Sequence, residues 1–202
     1  DLGTNMTTLS YFADESVLPK STLTELFFKA VDEHGSRVAF ERMISEIELD
    51  SIAYTEVFSF VKRISLALES HGITRGDRAA ILSENRPEWA LADYGCLCAG
   101  VIDVPIYPTL TSSQVAYALK DSGAKLVFVS SYEQMIKVLE AVVECSQEIQ
   151  IVVFDSLSEL PAGISSWVGF LESGAASLLP AISDEDFRRS ALEARPDDVA
   201  TI

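Results

Sequence analysis

The chain has 202 residues, of which 48% are apolar, 23% charged and 9% aromatic, enough for one sizeable core. Fifteen Lys and Arg against 31 Asp and Glu give a formal net charge of -16, so a nucleic-acid backbone would be repelled over most of the surface. A mean hydropathy of +0.21 excludes the low-hydrophobicity regime in which high net charge prevents folding.

In chain order, Asp1–Asn5 precede the first methionine, Met6, and read as vector-derived residues, and residues 6–21 read as an extended lead-in without a clear period. The N-terminus has no basic stretch running into an apolar one, so no secretory signal is expected. Thr22 with Glu25 three residues on has the form of a capping box, and Leu23, Leu26, Phe27, Ala30 and Val31 follow at helical spacing until Gly35. Val38–Arg42 and Ile52–Tyr54 are short strand candidates joined by the acidic stretch Glu46–Asp50, which predicts a hairpin. Thr55 is the expected cap of a second helix with an apolar stripe through Val57, Phe58, Val61, Ile64 and Leu68, ending at His71-Gly72.

A repeating pattern then begins. Arg78–Ser83, Val101–Ile106, Lys125–Val129 and Ile149–Phe154 read as strands rich in Val and Ile. Helices are expected between them: one opened by Asn85, Pro87 and Glu88 and running to Gly100, one capped by Thr111 with Gln114 and ending near Gly123, and one over Ser131–Glu144. Strands alternating with helices of about a dozen residues require right-handed crossovers, hence an α/β fold with a mostly parallel sheet and helices on both faces. Asp155–Pro180 reads as a surface excursion with one short helix around Trp167–Leu171, and Ser183–Ala194 as a helix with an acidic start. Val199–Ile202 begins a β-like run that stops short of a full element, which is unusual for a complete natural domain.

Three cysteines, Cys96, Cys98 and Cys145, are an odd number in a chain too large to need a disulfide staple, which points to a reducing, cytoplasmic setting. The long apolar stretch Trp89–Tyr107 is interrupted by Asp93, Asp103 and Pro105 and is not expected to span a membrane. There is no G-x-x-x-x-G-K-[ST], no G-x-G-x-x-G and no G-x-S-x-G. Cys96 and Cys98 lack zinc spacing and are expected in the core. His34 and His71 each precede a glycine at a helix end, where the dipole favours an imidazolium. Arg75-Gly76-Asp77 reads as turn chemistry, and the acidic groups at Asp184–Asp186 and Asp197–Asp198 as solvated faces. The run Asp103-Val104-Pro105-Ile106-Tyr107-Pro108-Thr109 differs, because a buried-type strand leaves through a loop stiffened by prolines; such a loop can line a pocket or simply make a rigid turn before the next helix.

Tyr54–Val57, Gly72–Leu82, Asn85-Arg86-Pro87-Glu88-Trp89, Ala99–Val101, Val104–Thr109 and Asp121–Lys125, in this order and spacing, resemble the early motifs of the adenylate-forming (AMP-binding) superfamily. The N-R-P-E-W and V-P-I-Y-P-T forms look most like bacterial long-chain fatty-acid CoA ligases. The resemblance covers Thr22–Ile202 and implies a parent ligase that joins a fatty acid to ATP, releasing pyrophosphate, and passes the acyl group to coenzyme A, with Mg2+ assisting. It implies that the phosphate loop and the ATP, magnesium and catalytic residues lie beyond Ile202. This chain alone would then be inactive and bind none of ATP, Mg2+ or coenzyme A tightly. Within the chain it implies a sheet that walls the acyl and CoA access, with Tyr107, Pro108 and Thr109 the nearest contacts and no catalytic or metal residue. Fatty acid, ATP and coenzyme A are the partners it implies, with peripheral membrane association and self-association of this piece as further expectations. The competing readings are a stand-alone α/β binding or interaction module sharing the family's first sheet, and an adenylating ligase for another carboxylic acid.

Overall fold

The computed structural model describes residues 21–45, 48–176 and 182–202; the expected vector residues and all of the lead-in before Ser21 lie outside them. Five parallel strands make the main sheet: β3 (Arg78–Leu82), β4 (Ile102–Ile106), β5 (Leu126–Val129), β6 (Gln150–Val153) and β7 (Ile164–Ser166), in the order β4-β3-β5-β6-β7. A separate antiparallel hairpin joins β1 (Val38–Ser45) to β2 (Glu48–Ala53). The helices are α1 (Leu23–His34), α2 (Tyr54–Ser70), α3 (Pro87–Ala99), α4 (Ser112–Ser122), α5 (Tyr132–Cys145), α6 (Trp167–Ala176) and α7 (Asp184–Ala191).

The sheet separates two cores, and the strand residues sort between them with the period of two that a pleated strand imposes. Ala79, Ile81, Leu126, Phe128, Val152 and Phe154 face a core built with α1, α2, α3, α6 and α7. Their neighbours Ala80, Leu82, Val127, Val129, Ile151 and Val153 face the other core, covered by α4 and α5. Burial on both faces explains why the central strands read as continuous apolar runs rather than alternating ones. Pro105 is tolerated because β4 lies at the sheet edge, where the missing N–H interrupts no inner ladder.

The capping boxes at Thr22 and Thr111 form as expected: Thr22 Oγ1 accepts from the Glu25 N–H at 3.2 Å while Glu25 Oε2 accepts from the Thr22 N–H at 2.9 Å. Several boundaries differ from the expectation. Thr55 lies inside α2, whose cap is Ala53; the Ala53 N–H donates to Glu56 Oε2 at 2.8 Å, so the reciprocal half of a capping box works without a capping hydroxyl. The cap of α3 is Arg86 rather than Asn85. In α1 the apolar face is carried by Phe27, Phe28 and Val31, while Leu23 and Leu26 are about half exposed. The hairpin forms, but Glu48–Asp50 belong to β2 and not to its turn.

The short helix expected around Trp167–Leu171 forms as α6, but the described part of the expected excursion, Asp155–Ala176, does not lie loose on the surface. It contributes β7, paired in parallel with β6, and α6, whose Phe170 is fully buried. Phe170 meets Phe128 edge-on at 5.4 Å and Trp167 meets Phe154 at 5.0 Å, so an aromatic cluster draws the segment onto the sheet. Gly174 completes the seat, since a Cβ there would come within 2.7 Å of the Ala67 backbone nitrogen on α2.

Candidate functional site

Parallel sheets present ligand sites outside the carboxyl ends of their strands. At that end β3 leaves through Ser83-Glu84-Asn85-Arg86, β4 through Tyr107-Pro108-Thr109, β5 through Ser130 and β6 through Phe154-Asp155. A concavity of about 720 Å³ opens there between β3 and β4. Ser83, Glu84, Asn85 and Trp89 form one side, and Ile106, Tyr107 and Pro108 the other, with Thr201 and Ile202 closing it.

The β4 loop is held from below. The Pro108 carbonyl accepts from Lys137 Nζ at 2.5 Å and from Gln134 Nε2 at 3.4 Å, both on α5, and the Leu110 N–H closes a turn onto the Tyr107 carbonyl at 3.1 Å. Tyr107 is 77% exposed on this fixed loop, an aromatic ring presented to solvent rather than packed. Thr109 is exposed but does not line the concavity, so of the three expected contacts the structure brings Tyr107 and Pro108 to the site and leaves Thr109 outside it.

The β3 loop is organised by Arg86. Its guanidinium donates to Glu88 Oε2 at 2.8 Å, to Asp155 Oδ1 at 2.8 Å and to the Ser130 carbonyl at 3.1 Å, and it lies 5.6 Å from the Phe154 ring centroid. One side chain thus ties the ends of β3, β5 and β6 together. Arg42 of the hairpin adds a second cation on Glu88 at 3.2 Å. Burial raises the Glu88 carboxyl, but the Arg86 hydrogen bond and the two guanidinium charges outweigh it and hold the group below its ordinary value. Glu84 is likewise pushed up by burial and brought down further by Ser130, its own backbone N–H, Gln134 and the Arg86 charge, so it is ionised at neutral pH. Gln134 Nε2 lies 3.3 Å from Glu84 Oε1, whereas the Ser130 hydroxyl favours the carboxylate without reaching good hydrogen-bond geometry.

These groups make a binding wall rather than a reaction centre. Ser83 spends its hydroxyl on the Glu84 carbonyl at 2.8 Å, and neither histidine lines the concavity. Trp89, Pro105, Ile106, Tyr107, Pro108 and Ile202 suit an apolar or aromatic group. A polyphosphate does not fit: the lining offers an ionised Glu84 and no lysine, arginine or glycine-rich turn. Among the described residues no three Asp, Glu, His or Cys side chains are placed to hold a metal ion.

The other singled-out residues take structural parts. Cys96 and Cys98 are buried in the core beneath α3, and all three cysteines are free. His71 caps α2 and links it to β6 and α6 through Gln150 at 2.8 Å and Ser173 at 3.0 Å; His34 ends α1 and packs on Tyr54 at 5.1 Å between ring centroids. Asp77 accepts from the Thr74 N–H at 2.9 Å and pairs with Lys125 at 2.6 Å, as its turn requires. Asp184 pairs with Lys62 at 2.6 Å and Asp186 with Arg189.

Residues 27–202 match the profile of a family described as AMP-binding enzyme. The chain belongs to that family. The chain is 30% identical over 146 residues to a long-chain-fatty-acid–CoA ligase of Mycobacterium bovis, covering 71% of this chain and 24% of the relative. It is also 30% identical over 155 residues to a 3-hydroxybenzoate/4-hydroxybenzoate–CoA ligase of Thauera aromatica, covering 74% of this chain and 26% of the relative. It therefore spans about a quarter of the length of these curated relatives. Among solved structures, coronafacic acid ligase of Pectobacterium brasiliense superposes with a TM-score of 0.64 at 21% identity, over 74% of this chain and 29% of that one, a likeness of fold.

The AMP-binding motifs divide between the two ends of the sheet. Asn85–Trp89 and Val104–Thr109 meet at the carboxyl end, whereas Ala99–Val101 and Asp121–Lys125 sit where β4 and β5 begin. Sequence reasoning missed the Arg86 network and Glu84, although Arg86, Glu88 and Trp89 all stand in the motif that carried the resemblance. The signal was there in Arg86: a long cation at a helix start, where the dipole disfavours it, needs acidic partners nearby.

Proposed function

We propose that this chain supplies one wall of the acyl site of an AMP-forming acyl-CoA ligase: a fatty acid carboxylate attacks the α-phosphate of ATP, pyrophosphate leaves, and the thiol of coenzyme A takes the acyl group. The carrying observation is the apolar and aromatic concavity at the carboxyl ends of β3 and β4, assembled from the family's own motifs. An ionised Glu84 at its rim disfavours a second anion beside the wall, which suits an acyl tail rather than a phosphate. Tyr107 and Pro108 are the proposed tail contacts. The substrate is a long-chain fatty acid on this reading. An aromatic acid is the alternative favoured by the hydroxybenzoate ligase relative and by the two aromatic side chains that line the concavity, the half-buried Trp89 and the exposed Tyr107.

The first test is the coding sequence after the Ile202 codon. A Ser/Thr/Gly-rich turn followed by lysine supports the ligase; a stop codon there favours a stand-alone binding module. The full product is then assayed for acid-dependent ATP–pyrophosphate exchange, with palmitate expected to exceed 4-hydroxybenzoate at least tenfold in kcat/KM and the reverse order overturning the long-chain assignment. ATP titrated into the 202-residue chain is expected to show no saturable binding, and micromolar affinity would place a nucleotide site here after all. Three free cysteines support a cytoplasmic location. No helix among the described residues is long and apolar enough to cross a membrane.

A further inference from the structure

Gln134 is a polar side chain in a place that favours apolar ones. It stands in the first turn of α5, where Ser131 caps the helix, and only 5% of it is exposed. Met135, Val138 and Ala141 of the same helix are buried against the sheet, so the backbone that carries Gln134 is fixed. Its Nε2 donates to Glu84 Oε1 at 3.3 Å and to the Pro108 carbonyl at 3.4 Å. Those acceptors belong to opposite sides of the concavity, Glu84 to the loop after β3 and Pro108 to the loop after β4. One amide nitrogen, with its two hydrogens, is thus divided between the two walls.

The surroundings settle which way the amide points. Turned over, it would set Oε1 against a carboxylate and a carbonyl, three acceptors with no hydrogen among them. As it stands, Oε1 is buried without a hydrogen-bond partner. A buried acceptor in that state destabilises a fold and calls for a compensating role, and here the compensation is the placement of Nε2. Both bonds lie at the long end of the hydrogen-bond range, so the fork is at full reach and a wall that moves outward loses its bond. Lys137, one turn further along α5, adds a cationic donor to the Pro108 carbonyl at 2.5 Å. Lys137 anchors the β4 wall, and Gln134 ties that wall to the β3 wall.

We propose that Gln134 is a positioning residue that sets the width of the concavity and, through that width, governs which acids the wall accepts. Its side chain holds the two loops from behind and is not itself part of the lining. The effect on acids rests on the acyl-wall reading; the effect on width rests on the fork alone. A slot lined by Trp89 on one side and Tyr107 on the other selects by thickness, because a gap of about 0.5–1 Å already forfeits a quarter to a half of the dispersion attraction of a contact.

The full gene product carries the test, in two readouts. In Gln134→Met, which keeps the length and loses the donors, the peptide carrying Leu110 is expected to exchange about tenfold faster, because the Leu110 N–H closes the β4 loop onto Tyr107, while the peptide carrying Val127 in the central strand keeps its rate. In the same variant KM for the best acid among octanoate, palmitate and 4-hydroxybenzoate should rise about tenfold, with kcat changed by less than about threefold, as a loss of tail binding requires. Gln134→Glu sets a second carboxylate against Glu84 and should raise KM further. Adding Glu84→Gln to it restores a donor and an acceptor across that half of the fork and should bring KM back by about threefold or more. An unchanged KM, or a kcat that falls at constant KM as it would in a merely less stable protein, overturns the proposal. So does Leu110 exchange equal to that of the unaltered protein, or a double variant no better than Gln134→Glu alone. If the unaltered product activates no acid, the acyl-wall reading fails, and exchange at Leu110 then decides by itself whether Gln134 holds the two walls. Should Gln134→Met not fold, Gln134→Glu and its double variant, which keep the shape of the side chain, carry both readouts.

Discussion

Arg86 shows how much of this fold's functional face hangs on one side chain. Its guanidinium serves Glu88 at the start of α3 and, at the ends of β5 and β6, the Ser130 carbonyl and Asp155, which lie 44 and 69 residues away. The Glu88 pair is shielded, with 19% and 16% of the two side chains exposed, so it escapes most of the screening that makes surface ion pairs weak. Arg86→Ala is expected to destabilise the chain by about 2 kcal/mol, the scale of charge-assisted bonds lost with one carboxylate left short of a partner. Arg86→Lys should recover less than half, since a single ammonium nitrogen cannot stand where the Nε and Nη1 of the guanidinium separately reach Glu88, Asp155 and the Ser130 carbonyl. Urea midpoints of the three proteins decide it; a loss below about 0.5 kcal/mol would mean that Asp155 and Ser130 are held by the chain around them instead.

Among the elements, α6 is the most informative, because its packing depends on an atom that is absent. Gly174 lets α6 approach α2 until a methyl group would meet the Ala67 nitrogen at 2.7 Å and the Arg63 carbonyl at 2.5 Å, both of them backbone atoms that cannot rotate away. Gly174→Ala should therefore destabilise by about 2–3 kcal/mol despite the better helix propensity of alanine, which contributes at most about 1 kcal/mol the other way. Thermal unfolding that shows a gain would mean that the two helices separate without cost. The helix itself is legible around Trp167–Leu171, but its docking onto the sheet is not. Helices α1, α4 and α5 announce themselves by caps at Thr22, Thr111 and Ser131 and by local periodicity, and β3, β5 and β6 by runs too apolar to be anything but doubly covered. The stretch reads as a surface excursion because what docks it is non-local: Phe170 on Phe128, and Gly174 on Ala67, join residues some 40 and 107 positions apart. The site divides in the same way. The stiff loop at Tyr107 and Pro108 is local in sequence, whereas the contacts of Arg86 with Asp155 and the Ser130 carbonyl exist only once the strands are side by side.

At the scale of the whole molecule, opposed carboxylates set the response to pH. Hydrogen bonds or cations hold Glu25, Asp77, Glu84, Glu88 and Asp186 below their ordinary values. Each contributes stability that is present above its unfolded value, near 4, and lost as pH falls through the lower folded one. Asp93 runs the other way: its folded value of about 7 lies above the unfolded 3.8, so its contribution is complete below about pH 4 and lost as pH rises towards 7. The loss is at most about 1.4 kcal/mol per pH unit over that interval. The sum is a stability maximum at about pH 5, with a decline towards pH 7 in place of the usual plateau. The net charge of -16 adds self-repulsion in the same direction, and salt separates the two causes. At 0.5 M NaCl the long-range repulsion is screened, while the burial that raises Asp93 keeps most of its effect. Urea midpoints from pH 3 to 8 should therefore retain the decline between pH 5 and 7 at high salt and lose it in Asp93→Asn. A profile flattened by salt alone would assign the decline to surface charge, and one flat at every ionic strength would show that Asp93 gains water without any change in the fold around it.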